Sequence, residues 1–150
     1  MKQKKLRLFG LLLAAAMLLG CLPVQALAAE DGWFYLAADW NGTLLIAPER
    51  VSYTADQTLY EALNASGHSF GPDENSVTQI DGKTGNFIRS DETGSHDLTR
   101  NAAQAGIRYL CFTDRLTAQP SDAMQSLIAA MADYRLEEPD VQLAAQAAYN

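Results

Sequence analysis

Two β-rich runs meet at Asn41-Gly42, and this hairpin is the feature that most constrains the fold. The runs are WFYLAADW, Trp33–Trp40, and TLLIA, Thr43–Ala47. Asn-Gly suits the type I′ turn, because both central residues of that turn need a positive φ. Pro48 either ends the second strand or marks a bulge through which the strand continues into RVSYT. An antiparallel pair of this kind needs a covering layer on its apolar face.

The stretch DQTLYEALNASG predicts a short helix as that layer. Thr58 and Glu61 form a capping box, in which the Thr oxygen accepts from the backbone of Glu61 and the Glu reaches back. Leu59 and Leu63 make one narrow apolar stripe, and Gly67 is placed to end the helix with a positive φ. So short a helix is marginal in water. We therefore expect it to pack on the face of the preceding hairpin.

The middle of the chain predicts a second hairpin, a polar loop and a central strand. Val77 and Ile80 alternate before a glycine-containing turn at Asp81–Gly85, and Phe87 and Ile88 follow it. Residues 90–106 are polar and turn-rich, with one helical turn near 101–104. The run IRYLCFTD, residues 107–114, is rich in β-branched and aromatic residues, which is typical of a central strand.

A helical hairpin is predicted for residues 118–150. Ser121 caps a segment whose apolar residues follow helical spacing: Met124, Leu127, Ile128, Met131 and Tyr134. Glu138-Pro139-Asp140 then starts a second helix that continues to Asn150 without a cap. Together with the strands of residues 30–117, this predicts an α+β chain. Since no third partner for the helices is evident, we expect the chain to be the N-terminal portion of a larger protein.

Residues 1–28 carry the three parts of a secretory signal peptide. A positive segment, MKQKKLR, precedes an apolar run from Leu8 to Leu22, and Ala26-Leu27-Ala28 is a small-residue cleavage site. We expect cleavage after Ala28 or Ala29. Cys21 in LLGC approaches a lipobox, so a lipoprotein is the less favoured alternative. The prediction is a secreted or cell-surface bacterial protein with no stable membrane span after cleavage.

Charge and cysteine usage exclude several classes of protein. Cleavage would remove four basic residues and no acidic ones, which takes the net charge from −7 to about −11. Nucleic acid is therefore excluded as a partner, because its phosphates are bound by clustered Lys and Arg side chains. The mature chain would keep Cys111 as its single cysteine, so it has no internal disulfide.

Part of the chain, about residues 43–113, resembles the small β-grasp domains of exported bacterial surface proteins. The pattern of Thr58, Ala62, Leu63 and Gly67, followed by a V-x-x-I-x-G strand, is similar to the transcobalamin-C-terminal-like family and, more loosely, to soluble-ligand-binding β-grasp domains. The resemblance implies a small β-grasp-like mixed sheet with one packed helix. The Gly-Trp-x-Tyr segment usual near the end of that family is absent, and IRYLCFTD stands in its place. Cobalamin binding is therefore not carried over to this chain.

Aromatic residues of the first hairpin are the candidate ligand-binding residues. Alternation along a strand places Trp33 and Tyr35 on one face and Phe34 and Trp40 on the other. Trp33, Tyr35 and Trp40 are the candidates for stacking against sugar rings. Burial in the core is the competing interpretation, since one face must cover the helix.

The acidic loop DETGSHD is the candidate metal site. Asp91, Glu92 and Asp97 lie beside His96 and can offer oxygen ligands to Ca²⁺, although the loop lacks the spacing of an EF-hand. A solvated acidic loop is the favoured interpretation. His68 has no other ligand at short spacing and is expected to be a strand-edge or surface residue.

Three functions follow, in order of preference. The first is a non-catalytic exported binding, adhesion or spacer domain, whose partners would be a cell-wall or host glycan or a protein. The second is a carbohydrate-binding module that uses Trp33, Tyr35 and Trp40. The third is a secreted hydrolase that uses Cys111 or carboxylates; against it, Cys111 lies between Leu110 and Phe112, where a thiol is expected to be buried.

Overall fold

The structure, a computed structural model, describes residues 31–114 and 119–150. The predicted signal peptide, its predicted cleavage at Ala28 and the lipobox alternative at Cys21 lie outside these residues. The described chain is α+β, as predicted. Its elements are β1 (Gly32–Trp40), β2 (Thr43–Tyr53), α1 (Leu59–Ala65), β3 (Phe70–Asp73), β4 (Ser76–Ile80), β5 (Lys83–Thr84), β6 (Phe87–Ser90), α2 (Ala102–Ala105), β7 (Tyr109–Asp114), α3 (Asp122–Ala132) and α4 (Glu138–Tyr149). None of the helices in these ranges is long and apolar enough to cross a membrane.

The main sheet has four strands in the order β2-β1-β7-β6. β1 and β7 run parallel, and the other pairs are antiparallel. Asn41 and Gly42 both have positive φ, 51° and 77°, so the predicted type I′ hairpin is confirmed. The register shifts between Leu36 and Ala38, opposite the Pro48 region. The strand therefore continues through a bulge to Tyr53 instead of ending at Pro48.

The first face of the main sheet is covered by α1. Thr58 accepts from the backbone of Glu61, and the Glu61 side chain accepts from the Thr58 backbone, so the predicted capping box is present. Leu59 and Leu63 are fully buried, in one core with Phe34 and Phe112. The fold is β-grasp-like, because the β1–β2 hairpin is covered by α1 and the later strand β7 pairs parallel to β1 in a mixed sheet.

A second, three-stranded sheet was not predicted. The order is β3-β4-β5, and the turn after β4 is closed by Asp81 and Gly82, both with positive φ. The predicted hairpin from Val77 to Ile88 is therefore wrong in its second half, because β6 pairs with β7 in the main sheet. The chain passes from the small sheet to the main sheet at Gly85. The Asp114 side chain lies so close there that an added Cβ would be 2.7 Å from it, so the position favours glycine.

The second face of the main sheet is covered by the helix pair α3 and α4. Ser121 caps α3 by accepting from the backbone of Met124, as predicted. The pair forms a second core with Tyr35, Ala37, Tyr109 and Cys111 of the sheet. The expectation that these helices lack a partner is therefore wrong, because strands β1 and β7 are apolar on both faces. α3 ends at Ala132, so Tyr134 is not part of its apolar stripe.

A buried polar contact joins the last helical turn to the main sheet. Asp39 on β1 is 1% exposed and accepts a hydrogen bond of 2.8 Å from the Tyr149 hydroxyl. The Ser121 hydroxyl lies 3.5 Å from the same carboxylate oxygen. Burial and the Asp39 contact both raise the pKa of Tyr149, so the hydroxyl keeps the proton that it donates.

Replacing the hydroxyl of Tyr149 tests this junction. In Tyr149→Phe the ring stays and a buried carboxylate loses a donor, so we expect the free energy of unfolding to fall by about 1–3 kcal/mol. Urea denaturation of the mature protein measures it. Tyr134→Phe is the control, because that side chain is 82% exposed, and its effect should stay within about 0.5 kcal/mol. Equal midpoints for Tyr149→Phe and the native protein would contradict the assignment.

Candidate functional site

A pocket of about 290 Å³ lies where the first strand begins and the two C-terminal helices are connected. The sheet supplies residues from β1, β2 and the segment before β7, and the helices supply the end of α3 and the α3–α4 connection. Its volume is at the lower end of the range of about 300–1,000 Å³ that is usual for ligand pockets. The lining residues are Trp33, Tyr35, Arg50, Ile107, Arg108, Met131, Asp133, Tyr134, Leu136 and Glu137.

Tyr35 is the buried aromatic residue among those that line this pocket. It is 3% exposed, and its hydroxyl is buried without a hydrogen-bond partner among the described residues. Arg50 is its register partner on β2, and the backbone N–H of Tyr35 donates to the Arg108 carbonyl at 2.8 Å. The Arg50 guanidinium lies 5.8 Å from the ring centre of Tyr35, and its interaction with the Tyr35 side chain raises the pKa of Arg50, but the two groups do not reach hydrogen-bond geometry. An unpaired buried hydroxyl costs about 1–3 kcal/mol, so its presence in a pocket is informative.

Two arginines line the pocket, and each lies near an aromatic ring. The Arg50 guanidinium is 4.1 Å from the ring centre of Trp33 and 3.6 Å from the Glu137 carboxylate. Arg108 donates to the carbonyl of Ala132, at the end of α3, at 2.7 Å, and its guanidinium is 5.9 Å from the Tyr134 ring centre.

The charges of the lining residues balance. Arg50 and Arg108 are matched by the carboxylates of Asp133 and Glu137. Asp133 is also bonded to Arg135, and hydrogen bonds from that side chain and its backbone lower the pKa of Asp133 to about 2. Asp133 is therefore ionised across the physiological range, and the pocket as a whole is close to neutral.

The structure brings two of the three predicted aromatic residues together. Trp33 is 41% exposed and meets the buried Tyr35 edge to face, with ring centres 5.1 Å apart and planes at 77°. They share one side of the sheet, as predicted, but they do not form a flat platform. Trp40 lies at the other end of β1, where its Nε1 donates to the Thr84 carbonyl and Lys83 lies over its ring. It is not part of this pocket.

The other pocket residues were missed by sequence reasoning. Arg50, Arg108 and Tyr134 are far apart along the chain and meet only when the helix pair packs on the sheet. Tyr134 gave one usable signal: it is a large aromatic residue within the polar segment ADYRLEE. Its helical spacing from Met131 instead predicts a place in the apolar stripe of a longer α3, which ends at Ala132.

The acidic loop is held by its own hydrogen bonds. Asp91 is buried and pairs with Arg100 at 2.5 Å, and Asp97 accepts from the backbone and hydroxyl of Thr99. Burial disfavours the charged form of Asp91, but bonds from Thr93 and Arg100 outweigh it and lower its pKa. Glu92 instead accepts from the backbone of Arg108. These carboxylates therefore stabilise the conformation of the loop through hydrogen bonds within the protein.

In the described ranges, no group of three or more His, Cys, Asp and Glu side chains is arranged to hold a metal ion. His96, next to the acidic loop, is exposed. The Ca²⁺ site suggested for Asp91, Glu92 and Asp97 therefore gains no geometric support, since each carboxylate has a different protein partner.

Cys111 is fully buried in β7, beneath the helix pair. Its Sγ lies 3.5 Å from the Ser90 carbonyl, and burial raises the pKa of the thiol to about 12. A thiol nucleophile needs a lowered pKa and access. Cys111 therefore has neither property that the hydrolase alternative requires.

His68 forms a cluster with two carboxylates that the sequence did not indicate. Its Nδ1 lies 2.6 Å from Asp81, in the turn of the small sheet, and its Nε2 lies 3.0 Å from Glu49 on β2. Partial burial disfavours the charged imidazole, but the bonds to Asp81 and Glu49 outweigh it and raise the pKa of His68. The three residues join the two sheets by a charge contact.

Comparison with known proteins gives no match: no family model, no curated protein and no solved structure is similar to this chain. The fold and the pocket therefore define the class of protein by themselves. It is a small α+β domain with a β-grasp-like sheet, a helix pair on the second face and a pocket of about 290 Å³ where the sheet and the helix pair meet.

The reactivity of Cys111 can be measured directly. At about pH 8 we expect a thiol reagent to label the folded mature protein at least about 100-fold more slowly than the urea-unfolded protein, because the buried thiol is protonated and covered. Leu143→Cys is the control, since Leu143 is exposed on α4 and should add one fast-reacting thiol. Rapid labelling of Cys111 in the folded protein would restore the hydrolase alternative.

The His68 cluster makes stability depend on pH. Because the folded-state pKa is above the ordinary value of about 6.5, protonated His68 stabilises the fold fully below that value, and the contribution is lost as the pH rises through the folded-state pKa. We expect His68→Gln to lower the free energy of unfolding more at about pH 5.5 than at about pH 8.5, by on the order of 1 kcal/mol.

Denaturant titrations at the two pH values measure this difference. His96→Gln is the matched control, because His96 is exposed and forms no ion pair in the part of the chain that the structure describes. It should show the same stability difference at both pH values. A His68→Gln effect that is independent of pH would contradict the charge assignment.

Proposed function

We propose that the chain is a non-catalytic binding domain of an exported or cell-surface bacterial protein, and that its ligand occupies the pocket around Tyr35. The observation that carries the proposal is the buried Tyr35 hydroxyl, which has no partner among the described residues and lines a pocket of about 290 Å³. Burying that hydroxyl without a partner does not stabilise the fold, whereas a ligand that forms a hydrogen bond to it would give the burial a purpose.

The absence of a reactive set among the described residues supports binding over catalysis. Cys111 is a buried thiol whose pKa is raised to about 12. Asp133 is bonded to Arg135, and Glu137 is paired with Arg50. Acid–base catalysis needs two titratable groups in contrasting environments facing one substrate, and the two carboxylates of this pocket are already engaged with arginines.

Export is supported by the N-terminal sequence and by the composition. Residues 1–28 have the anatomy of a signal peptide, and the mature chain would have one cysteine and a net charge of about −11. The β-grasp-like sheet agrees with the resemblance to the transcobalamin-C-terminal-like domains of exported bacterial proteins. Membership of that family, and a place within a larger surface protein, are parts of this proposal.

A pocket-dependent binding experiment tests the proposal. The mature protein is screened against immobilised glycans, peptides and cell-wall fragments, and the best ligand is titrated against the native protein and two tryptophan variants. We expect Trp33→Ala to weaken binding at least about tenfold, because it removes a wall of the pocket, and Trp40→Ala to leave it unchanged. The ligand should be recovered chemically unaltered after prolonged incubation.

Three results would contradict this proposal. A ligand that is cleaved or otherwise converted would make the chain an enzyme. Binding that depends on Trp40 and not on Trp33 would place the site at the hairpin tip, where a smaller pocket includes Trp40, Leu44 and Lys83. If no ligand binds, the spacer alternative is favoured.

A further inference from the structure

We infer that the ligand of the Tyr35 pocket is a neutral saccharide, one of whose hydroxyl groups bonds to the Tyr35 hydroxyl. This inference rests on the proposed function and names the chemical class that the pocket selects. It also revises the residues of the carbohydrate alternative: Trp33 and Tyr35 stay, Tyr134, Arg50 and Arg108 join them, and Trp40 is left out.

A purely apolar ligand does not fit the pocket. It would leave the Tyr35 hydroxyl unpaired and would cover the guanidinium groups of Arg50 and Arg108, which line the same space. Burying those groups without new hydrogen bonds is unfavourable. The ligand must therefore carry hydrogen-bonding groups of its own.

Charged ligands do not fit either. An anion would meet two arginines that are already matched by Asp133 and Glu137, on a protein with a strongly negative net charge. A cation would compete with the protein's own arginines, since Arg50 lies over Trp33 and Arg108 near Tyr134. A neutral ligand avoids both conflicts.

With apolar and charged ligands disfavoured, a neutral ring that carries several hydroxyl groups is the ligand class that fits the pocket. The exposed rings of Trp33 and Tyr134 can contact the C–H face of a sugar, and the carboxylates and guanidiniums offer both acceptors and donors to its hydroxyls. The pocket volume of about 290 Å³ suits a ligand of one or two sugar rings.

Access to the Tyr35 hydroxyl requires one side chain to move. The hydroxyl is covered, and the neighbouring Arg50 is held by long ion-pair contacts of 3.6 Å to Glu137 and 3.7 Å to Glu138. The Arg50 side chain is 36% exposed, so a rotamer change is sterically feasible, and such changes are common on binding. Its movement opens the hydroxyl and frees the carboxylate of Glu137, which lines the pocket, to accept hydrogen bonds from the sugar.

The experiment uses matched pairs of neutral and acidic sugars. The mature protein is tested on arrays that carry a hexose and the corresponding uronic acid in the same linkage, and the best neutral member is titrated by calorimetry. We expect the neutral member of a pair to bind more tightly. Tyr35→Phe should weaken it about tenfold, the loss of one hydrogen bond, while the melting temperature stays unchanged or rises because an unpaired hydroxyl is removed.

Trp40→Ala is the matched control and should bind as the native protein does. Tighter binding of the uronic acid, unchanged affinity in Tyr35→Phe, or a lower melting temperature of Tyr35→Phe would each overturn the inference. If a peptide or another class of ligand binds in a Trp33-dependent manner, the saccharide inference fails and the proposed function stands. If nothing binds in a Trp33-dependent manner, both fail.

Discussion

The parallel pairing of β1 with β7 is the contact on which the rest of the structure depends. Both strands are buried over nearly their whole length, from Phe34 to Asp39 and from Tyr109 to Thr113, so both of their faces are apolar and need a cover. α1 and the small sheet cover one face, and α3 with α4 cover the other. The helix pair is therefore a structural layer of the same domain. The burial of Cys111 is a consequence of that second layer.

The pocket is located where this layering ends. Tyr35 belongs to the second core, yet it lies close to the start of β1. At that end of the strand, the second face of the sheet is covered by the α3–α4 connection and no longer by a helix. A connection of five residues, Asp133–Glu137, cannot fill the space that a helix would. Two arginines and two aromatic side chains surround that space instead. The same gap that leaves the Tyr35 hydroxyl without a partner thus provides room for a ligand.

The sequence predicted the parts of the fold that depend on neighbouring residues. The hairpin was predicted from Asn41-Gly42, the start of α1 from Thr58 and Glu61, and the start of α3 from Ser121. Each of these signals acts within three or four residues of the chain. The second hairpin was predicted wrongly for the same reason. Phe87 is near β4 in sequence, but β6 pairs with β7, and no local pattern distinguishes the two partners.

The candidate site was less predictable, because its contacts join distant residues. Tyr35 meets Arg108 only when β1 pairs with the segment before β7, and Tyr134 joins them only after the helix pair has packed. His68 meets Glu49 and Asp81 only across two sheets. Alternation correctly paired Trp33 with Tyr35 on one face, since the period of a strand is local. It could not show that the two rings meet at 77° or that an arginine covers one of them.

The scarce basic residues show how an acidic chain of this kind holds its layers together. Six of those beyond residue 28 lie in the described residues, and each contacts an acidic, aromatic or carbonyl group: Arg50, Lys83, Arg89, Arg100, Arg108 and Arg135. Several of these contacts join separate elements, as Arg108 does with the end of α3 and Arg50 with α4. Exposed ion pairs weaken in salt, whereas contacts with a ring or a carbonyl are screened less because they are short and partly desolvated. At the pocket, Arg50 combines ion pairs with a ring contact, and Arg108 contacts a carbonyl and a ring, so the residues that hold the helix pair on the sheet are also those that a ligand would meet.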